Sequence, residues 1–556
     1  MTNPLNNRPL RAGLQSRHFA SHHPLHAEAR RNSKKPVRVL KFGGTSVGDA
    51  SSIAQVVEII RTASRDSQVV VVVSAMSGVT NRLVEAARQS ESGEYAAVGA
   101  IFEAIRRQHE EAIHALVHSA AERSRIVGRM KTLLEEGDRF CQGTSLLGEL
   151  TPRSRDAISG LGERLSAPLV AAALAERGVV SEAIEATELV VTDGCHGGAE
   201  PSMEQTRERC ETRLRPLLDQ EVVPVVTGFI GSTPEGVLTT LGRGGSDYSA
   251  TILAAALQAD EVIIWTDVDG LHTADPRLVE EGCTIPEISY REASELAYFG
   301  ARVLHPKTLR AVTQCGIPLW IRNTFAPERA GTKITPAGPT GAGAVKALSA
   351  MNEVVLIKVG GPGMAGVPDV LGRTVRTTAA TRADVLLISQ SSSQNELSLV
   401  IPSPLAKSTV AALRHEFAAE LAQEKAEHIA VDATVAIVSV VGQMVAPIVA
   451  QKVGQSGLAG ILGRACSALD REQVNIIAIA QGSSQCTLSF LVGKQDMKTA
   501  LLSIHREFQL GNPPQRRMEE DATGYEGGES MPFDGIADPV IPDQIMPHPV
   551  ISDQGK

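Results

Sequence analysis

Short apolar runs alternate with longer amphipathic stretches over residues 36–330. Five runs rich in β-branched residues are bounded by Gly, Asp or Pro, which is typical of buried strands: VRVLKF, QVVVVVSA, EVVPVVTGF, EVIIWTDV and IPLWIRN. Between them, apolar residues recur at helical spacing in SSIAQVVEIIRTAS, LSAPLVAAALAERG and SDYSATILAAALQAD. This alternation predicts an α/β domain whose mainly parallel sheet is flanked by helices.

An internal repeat follows a Gly-, Pro- and Thr-rich stretch, residues 326–345, which we interpret as a linker. LGR occurs at 371–373 and again at 462–464, an offset of 91 residues, and VLLISQSSSQNELSLVI matches NIIAIAQGSSQCTLSFLV at that same offset. Each copy has the pattern of a small βαββ unit. The sequence therefore predicts two tandem α+β modules over residues 346–510.

Composition describes the two ends of the chain and excludes several function classes. The 556 residues carry a formal net charge of −9, and 3% of them are aromatic, so no nucleic-acid surface is expected. We interpret residues 1–35 as a disordered leader, with a transit peptide as the alternative, and residues 511–556 as a disordered Pro-rich tail. No membrane span and no metal site is predicted, and the scattered cysteines fit a reducing cytoplasm.

Three turns that follow predicted strands carry candidate chemistry. In KFGGTS, residues 41–46, bare backbone N–H groups and the Lys41 ammonium would suit an anion. In LGRGGSDYSA, residues 241–250, two glycines precede Ser246 at an expected helix N-cap, with Asp247 in the first turn. The third turn is the acidic WTDVDGLHTADPR. A single such turn is often only structural, but three at the carboxyl edge of one sheet favour a ligand site.

A G-x-G-x-x-G pattern at Gly361, Gly363 and Gly366 would by itself suggest a dinucleotide site. Two of these glycines recur one repeat later, as Gly454 and Gly457, but the first does not. We therefore assign them to the turn geometry of the repeat. The sequence contains no P-loop motif.

Six sequence blocks resemble, in order, the signatures of the aspartate kinases: KFGGTSV, VSAMSGVTN, SGLGERLS, GFIGSTPEGVLTTLGRGGSDYSA, IWTDVDGLHTADPR and YFGARVLHPKT. The repeat is similar to the paired ACT regulatory modules of that family. GPGMAGV, ISQSSS and IAIAQGSS are most similar to the kinase half of bifunctional aspartate kinase–homoserine dehydrogenases, here with no dehydrogenase domain expected. The resemblance implies an amino-acid-kinase fold followed by two ACT modules.

The same resemblance implies that ATP phosphorylates the side-chain carboxylate of L-aspartate, giving 4-phospho-L-aspartate, the first step toward lysine, threonine and methionine. Magnesium would bridge the phosphates, and Lys41 and Asp247 would be catalytic. The nucleotide-side residues it implies are Lys41, Phe42, Gly43, Gly44, Ser46, Thr266, Asp267, His272, Arg277 and Arg302. The aspartate-side residues it implies are Ser74, Thr80, Glu163, Gly245, Ser246 and Asp247.

Three positions depart from the family pattern. Gly198 stands where lysine-regulated members carry a substrate-binding arginine, and three arginines remain open as replacements: Arg164, Arg207 and Arg243. Arg302 stands where many members have a lysine, which keeps the charge but changes the geometry. His272 replaces a common tyrosine.

Gln390 and Gln481 match the threonine-binding glutamines of the bifunctional relatives. The resemblance therefore implies feedback inhibition by L-threonine rather than L-lysine, in a homodimer or dimer of dimers formed through the ACT modules. The alternative is that both glutamines are only polar residues of a dimer interface. For the whole chain, the alternatives are a kinase of the same fold with a glutamate-type acceptor and a non-catalytic protein that senses an amino acid.

Overall fold

The computed structural model describes residues 35–299, 304–339, 345–361, 369–390, 396–423, 428–443, 457–482 and 484–512. Within these residues, no helix combines the length and the hydrophobicity needed to cross a membrane.

A central sheet organises the first domain. Its strands and those of a small hairpin are β1 (Val37–Phe42), β2 (Gln68–Val73), β3 (Ser181–Ile184), β4 (Val223–Thr227), β5 (Ile230–Ser232), β6 (Leu238–Thr240), β7 (Glu261–Thr266), β8 (Glu287–Ser289), β9 (Leu319–Asn323) and β10 (Thr332–Thr335). The sheet has eight strands in the order β3-β4-β2-β1-β7-β9-β10-β8, and β5 pairs with β6. Neighbouring strands of the sheet run parallel, except that β9 and β10 are antiparallel.

Helices cover both faces of this sheet. They are α1 (Ala50–Ala63), α2 (Val79–Glu91), α3 (Tyr95–Leu116), α4 (Ala120–Leu147), α5 (Pro152–Ser159), α6 (Leu161–Glu176), α7 (Met203–Arg213), α8 (Arg215–Asp219), α9 (Gly245–Leu257), α10 (Tyr290–Tyr298) and α11 (Pro306–Cys315). Helices α1 to α6 share one hydrophobic core with Leu40 and Phe42 of β1, and α7 to α11 share the other with Val39. Successive strand residues point to opposite faces, so Lys41 lies on the α9 side.

The predicted α/β architecture is confirmed. The five predicted strands correspond to β1, β2, β4, β7 and β9, and the three predicted helices to α1, α6 and α9. The linker interpretation of residues 326–345 was wrong in its middle, because β10 lies there, between β9 and β8 in the sheet. Thr332 and Ile334 are fully buried in this four-residue strand, which is too short to stand out among flanking glycines and prolines.

Two four-stranded antiparallel sheets form the second half, in the orders β13-β14-β12-β15 and β11-β16-β18-β17. Their strands are β11 (Val345–Met351), β12 (Val354–Gly360), β13 (Leu387–Gln390), β14 (Glu396–Pro402), β15 (His428–Asp432), β16 (Val435–Gly442), β17 (Ile476–Gln481) and β18 (Thr487–Gly493). Their helices are α12 (Val370–Ala380), α13 (Ala406–Glu416), α14 (Ala418–Ala422), α15 (Leu458–Arg471) and α16 (Met497–Glu507).

The two modules are nested rather than tandem. Both contain the predicted βαββ unit, as β12-α12-β13-β14 in the first module and β16-α15-β17-β18 in the second. However, β11 precedes the first module and pairs with β16 of the second, with Met351 opposite Ile437. The repeat could not reveal this, because β11 lies outside the repeated unit. Gly363, Gly366 and Gly454 lie outside the described residues, and Gly457 immediately precedes α15.

Candidate active site

Lys41 lies at the carboxyl end of β1, and only 7% of the residue is exposed. Its Nζ forms an ion pair with Asp247 Oδ1, which the first turn of α9 brings to the same face of the sheet. A Cβ on Gly43 would lie 3.6 Å from Nζ, so the absence of a side chain leaves space beside the ammonium. The site therefore offers a buried cation next to bare backbone.

The glycine turn after β1 is held by its neighbours. Gly43 N–H donates to Trp265 O (3.1 Å), and a Cβ on Gly44 would lie only 3.1 Å from Ala75 O. The buried Ser46 hydroxyl is 2.7 Å from Thr324 Oγ1, so it ties this turn to the segment after β9. The Phe42 ring is in the core, stacked on Trp265 at 6.2 Å between centroids. Only the Phe42 backbone borders the turn.

Glu163 lies in the first turn of α6 and is 3% exposed. Burial raises the pKa of Glu163 to about 8, and this effect outweighs the opposing influence of the Ala75 backbone, the Lys41 ammonium and the Ser246 hydroxyl. Its Oε2 has no hydrogen-bond partner within the described part of the chain. These interactions show that the structure brings Glu163 together with Lys41 and Ser246.

The start of α9 differs from the prediction. The N-cap is Gly244 rather than Ser246, which instead lies in the first turn with Asp247. Gly244 has φ of 70°, a left-handed conformation that a serine adopts only with strain. Gly245 is buried, and a Cβ on it would lie 2.7 Å from Phe229 Cδ2. The tight packing therefore fixes where Asp247 emerges.

The remaining aspartate-side candidates flank this cluster. Ser74 follows β2, is half-buried, and its N–H donates to Phe42 O at 3.1 Å. Thr80 is half-buried in the first turn of α2, whose N-cap is Gly78. Both therefore lie at helix or strand ends on the carboxyl edge of the sheet.

Two nucleotide-side candidates lie at the end of β7, the neighbour of β1. The Thr266 hydroxyl donates to Asp267 Oδ1 at 3.2 Å, while Thr266 O accepts from Thr324 N–H at 2.8 Å. Asp267 is exposed. This end of β7 therefore opens to solvent beside the glycine turn.

The other nucleotide-side candidates are not brought into contact with Lys41 by any interaction between described residues. His272 is half-buried, with Nδ1 at 3.2 Å from Gly270 O. Arg277 is exposed and forms an ion pair with Asp275 at 2.6 Å. Arg302 lies outside the described residues. In the ACT modules, Gln390 and Gln481 end β13 and β17 and are exposed.

The three arginines left open by Gly198 have different surroundings. Arg164 forms ion pairs with Glu136 at 2.9 Å and Glu185 at 3.1 Å. Arg207 is exposed on α7, and Arg243 is exposed immediately before the Gly244 cap. Of the three, Arg243 has the position best suited to a ligand at the start of α9.

Sequence reasoning missed a buried carboxylate beside the site. Asp156, 1% exposed, accepts hydrogen bonds from His196 Nδ1 at 2.8 Å, from Gly197 N–H and from the Thr240 backbone and hydroxyl. It thereby holds the loop of residues 193–198 against the Gly242 turn that leads into α9. No local signal marks Asp156, because its donors come from distant segments.

Comparisons with known proteins place this chain in a family. Residues 36–323 match the model of the amino acid kinase family, and residues 357–417 and 453–508 match an ACT domain model. The chain is 31% identical over 477 residues to Aspartokinase 1, chloroplastic, of Arabidopsis thaliana, covering 84% of this chain and 80% of that protein. The chain belongs to the aspartokinase family. The family predicted from the six sequence blocks is confirmed.

Other aspartokinases share the chain's whole kinase–ACT arrangement. Two structures of Escherichia coli aspartokinase III match it: the complex with aspartate and ADP has a TM-score of 0.70 and 29% identity over 85% of this chain and 100% of that one. The complex with lysine and aspartate has a TM-score of 0.68 and 30% identity over 84% and 99%.

Bifunctional aspartokinases/homoserine dehydrogenases also match. Identity is 31% to enzyme 1 of Arabidopsis thaliana, covering 85% of this chain and 51% of that protein. It is 32% to the Haemophilus influenzae protein, covering 84% and 56%. The chain thus spans about half the length of these bifunctional relatives.

Proposed function

We propose that the chain is an aspartate kinase that transfers the γ-phosphoryl group of ATP to the side-chain carboxylate of L-aspartate. The observation that carries this proposal is the buried Lys41–Asp247 pair beside the bare Gly43–Gly44 turn, with Glu163 close by. Aspartokinase-family membership supports it, as does the Escherichia coli aspartokinase III structure in complex with aspartate and ADP.

The reaction needs positioning and charge neutralisation more than proton transfer. An aspartate carboxylate is already ionised at neutral pH, so its oxygen attacks the γ-phosphorus without a general base. The new O–P bond forms as the bond to the bridging oxygen breaks, and that bond's electrons leave with ADP. Lys41 would stabilise the negative charge in transit, and Gly44 would present its backbone N–H group. The Gly43 N–H already donates to Trp265 O, so Gly43 would instead leave space beside Lys41. Asp247 holds Lys41 in place.

The rest of the nucleotide would lie along the ends of β1 and β7. We assign it the Phe42 backbone, Ser46, Thr266, Asp267, His272, Arg277 and Arg302, the last on family resemblance alone. Mg²⁺ would neutralise part of the phosphate charge, and we assign it no protein ligands, because the described residues contain no cluster of three or more acidic, His or Cys side chains arranged for a metal.

The acceptor would lie on the side of α6 and α9. Glu163 suits the α-ammonium of aspartate, because a nearby cation favours the ionised carboxylate that burial opposes. We assign the acceptor's remaining contacts to Ser74, Thr80, Gly245, Ser246 and Asp247, with Arg243 for a carboxylate.

The activity is tested by measuring ADP release with L-aspartate, L-glutamate or N-acetyl-L-glutamate as acceptor. Hydroxylamine in a parallel assay traps an acyl phosphate as the hydroxamate. We expect turnover and hydroxamate only with aspartate. Turnover only with glutamate or its acetyl derivative would replace aspartate kinase by another kinase of this fold, and none with any acceptor would favour a sensor protein.

We further propose that L-threonine inhibits the enzyme through Gln390 and Gln481, in a cytoplasmic homodimer or dimer of dimers built on the ACT modules. In support, β13 and β17 expose apolar side chains next to these glutamines, Ile388 at 43% and Ile479 at 44%.

Gln481→Ala should raise the threonine concentration for half-inhibition roughly tenfold, because a ligand hydrogen bond is lost. Gln495→Ala, which removes an exposed glutamine elsewhere on the second module, is the matched control and should leave inhibition unchanged. Inhibition by L-lysine alone would show that the effector assignment is wrong.

A further inference from the structure

The loop between β7 and β8, residues 267–286, packs directly on the second ACT module. The Thr273 hydroxyl lies 3.1 Å from His505 Nε2 of α16, and both residues are buried, at 2% and 1% exposure. The Thr273 carbonyl accepts a hydrogen bond from Leu348 N–H of β11 at 2.7 Å. A kinase loop is thus held by polar contacts to two elements of a regulatory module.

Apolar contacts strengthen this attachment. Ala274 and Val279 of the loop are 2% and 0% exposed, and they belong to the hydrophobic core of the second module, together with Leu348 and Ile504. The loop therefore has no separate core of its own at this point. Its conformation depends on side chains that β11 and α16 supply.

Thr273 also forms hydrogen bonds within the loop itself. Its N–H donates to Cys283 O at 2.8 Å, and its hydroxyl accepts from Cys283 N–H at 3.0 Å. Because that hydroxyl oxygen accepts from Cys283, its proton is available to His505 Nε2. One hydroxyl therefore fixes both the pairing across the loop and the docking of the loop on α16.

The same loop leads to the proposed nucleotide site. It begins at Asp267, directly after the β7 end that neighbours the glycine turn, and His272 is adjacent to Thr273. A shift of α16 or β11 would move Thr273, and His272 with it. The acceptor-side residues Glu163 and Asp247 are carried by α6 and α9 instead.

We infer that Thr273 and His505 are positioning residues for the nucleotide, so that the second ACT module controls affinity for ATP rather than for the acceptor. This inference rests on the proposed place of the nucleotide, but it does not depend on which amino acid is phosphorylated.

Equilibrium binding of ATP to the full chain without acceptor, measured by calorimetry, tests it. Thr273→Val keeps the shape and removes the hydroxyl, and His505→Ala removes the partner. Each should weaken ATP binding about three- to tenfold, the effect of one lost hydrogen bond. His505→Gln, which restores an acceptor, should recover part of the loss. In steady-state assays, KM for ATP should rise and KM for the acceptor should stay constant.

Thr487→Val is the matched control. The Thr487 hydroxyl donates to Glu295 Oε2 of α10 at 2.6 Å, so this variant breaks another contact between the second module and the kinase domain without touching the loop. It should bind ATP like the unaltered chain. Thermal unfolding curves verify that all variants are folded.

Three results would overturn the inference: normal ATP binding by folded Thr273→Val and His505→Ala, equal weakening in Thr487→Val, or a rise only in the acceptor's KM. No ATP binding by the unaltered chain would overturn the proposed function as well. If the chain binds ATP and the variants weaken it, but aspartate is not phosphorylated, the inference is supported and the proposed acceptor is wrong.

Discussion

At the scale of single residues, Glu163 links the chemistry of the site to stability. Burial raises the pKa of Glu163 to about 8 from a usual value near 4.5. Between these values the native state retains a proton that the unfolded state has lost. Stability therefore falls as pH rises through this window, by up to roughly 1.4 kcal/mol per pH unit, and levels off above the native pKa.

Glu163→Gln removes this titration. Its stability relative to the unaltered chain should rise between pH 5 and pH 8, measured by urea unfolding at several pH values. The same variant should raise KM for aspartate about tenfold or more, because a neutral amide attracts the α-ammonium less. A stability difference that is independent of pH would show that Glu163 ionises normally.

Lys41→Met separates the catalytic from the structural role of the Lys41–Asp247 pair. We expect kcat to fall about a hundred- to a thousandfold, because the charge in transit loses its cation. Stability should fall by about 3 kcal/mol, since Asp247 is left without its ionic partner. Adding Asp247→Asn should restore stability, but not activity. Near-normal turnover in the single variant would remove Lys41 from its proposed role.

At the scale of elements, the cap of α9 depends on a glycine. A Cβ on Gly244 would lie 2.6 Å from His305 Cβ, and the φ of 70° is strained for any other residue. Gly244→Ala should therefore cost more than the ~1 kcal/mol of left-handed strain alone and should lower kcat by displacing Asp247.

Gly236→Ala is the control for the cap, because Gly236 also has a positive φ but faces open space. Denaturant unfolding should show a loss of about 1 kcal/mol for Gly236→Ala and a clearly larger one for Gly244→Ala. Equal losses of stability in the two variants would mean that His305 moves aside at little cost in free energy.

The elements also show what a sequence can reveal. Runs such as QVVVVV are buried on both faces and have few structural alternatives, so β2 was predictable from composition alone. By contrast, β11 pairs with β16, which is distant in sequence, and β10 is a four-residue strand between β8 and β9. Nothing local distinguishes either strand from a linker.

The residues of the candidate site likewise divide into those with a local sequence signal and those without one. Lys41, Glu163 and Asp247 lie in recognisable motifs at element ends. The family resemblance therefore predicted that they belong to one site. Asp156 was missed because it is buried by contacts with separate loops. The N-cap was misplaced because a glycine in a left-handed conformation competes with the usual preference for serine.

At the scale of the whole molecule, a buried ion pair joins the kinase domain to the second ACT module. Lys346 Nζ lies 2.9 Å from Glu292 Oε2, with the side chains 7% and 0% exposed. Lys346→Met should cost about 3–5 kcal/mol, because the Glu292 charge loses its partner in the interior. Scanning calorimetry should show the regulatory half unfolding at a lower temperature than before.

Lys358→Met offers a comparison within the first module. The Lys358–Glu396 pair is 3.6 Å apart and more than a third exposed, so its loss should cost less than about 1 kcal/mol. If both lysine variants have the same melting temperature, the Lys346 pair does not join the two halves.

The nested strand order has an evolutionary consequence. Met351 of β11 lies opposite Ile437 of β16, so the chain leaves the second sheet and re-enters it at neighbouring points. Everything from residue 352 to residue 434 therefore lies between strand positions that are neighbours in the second sheet, an arrangement compatible with insertion. A lineage could gain or shed that module in a single genetic event, with a tight hairpin closing the gap between the flanking strands.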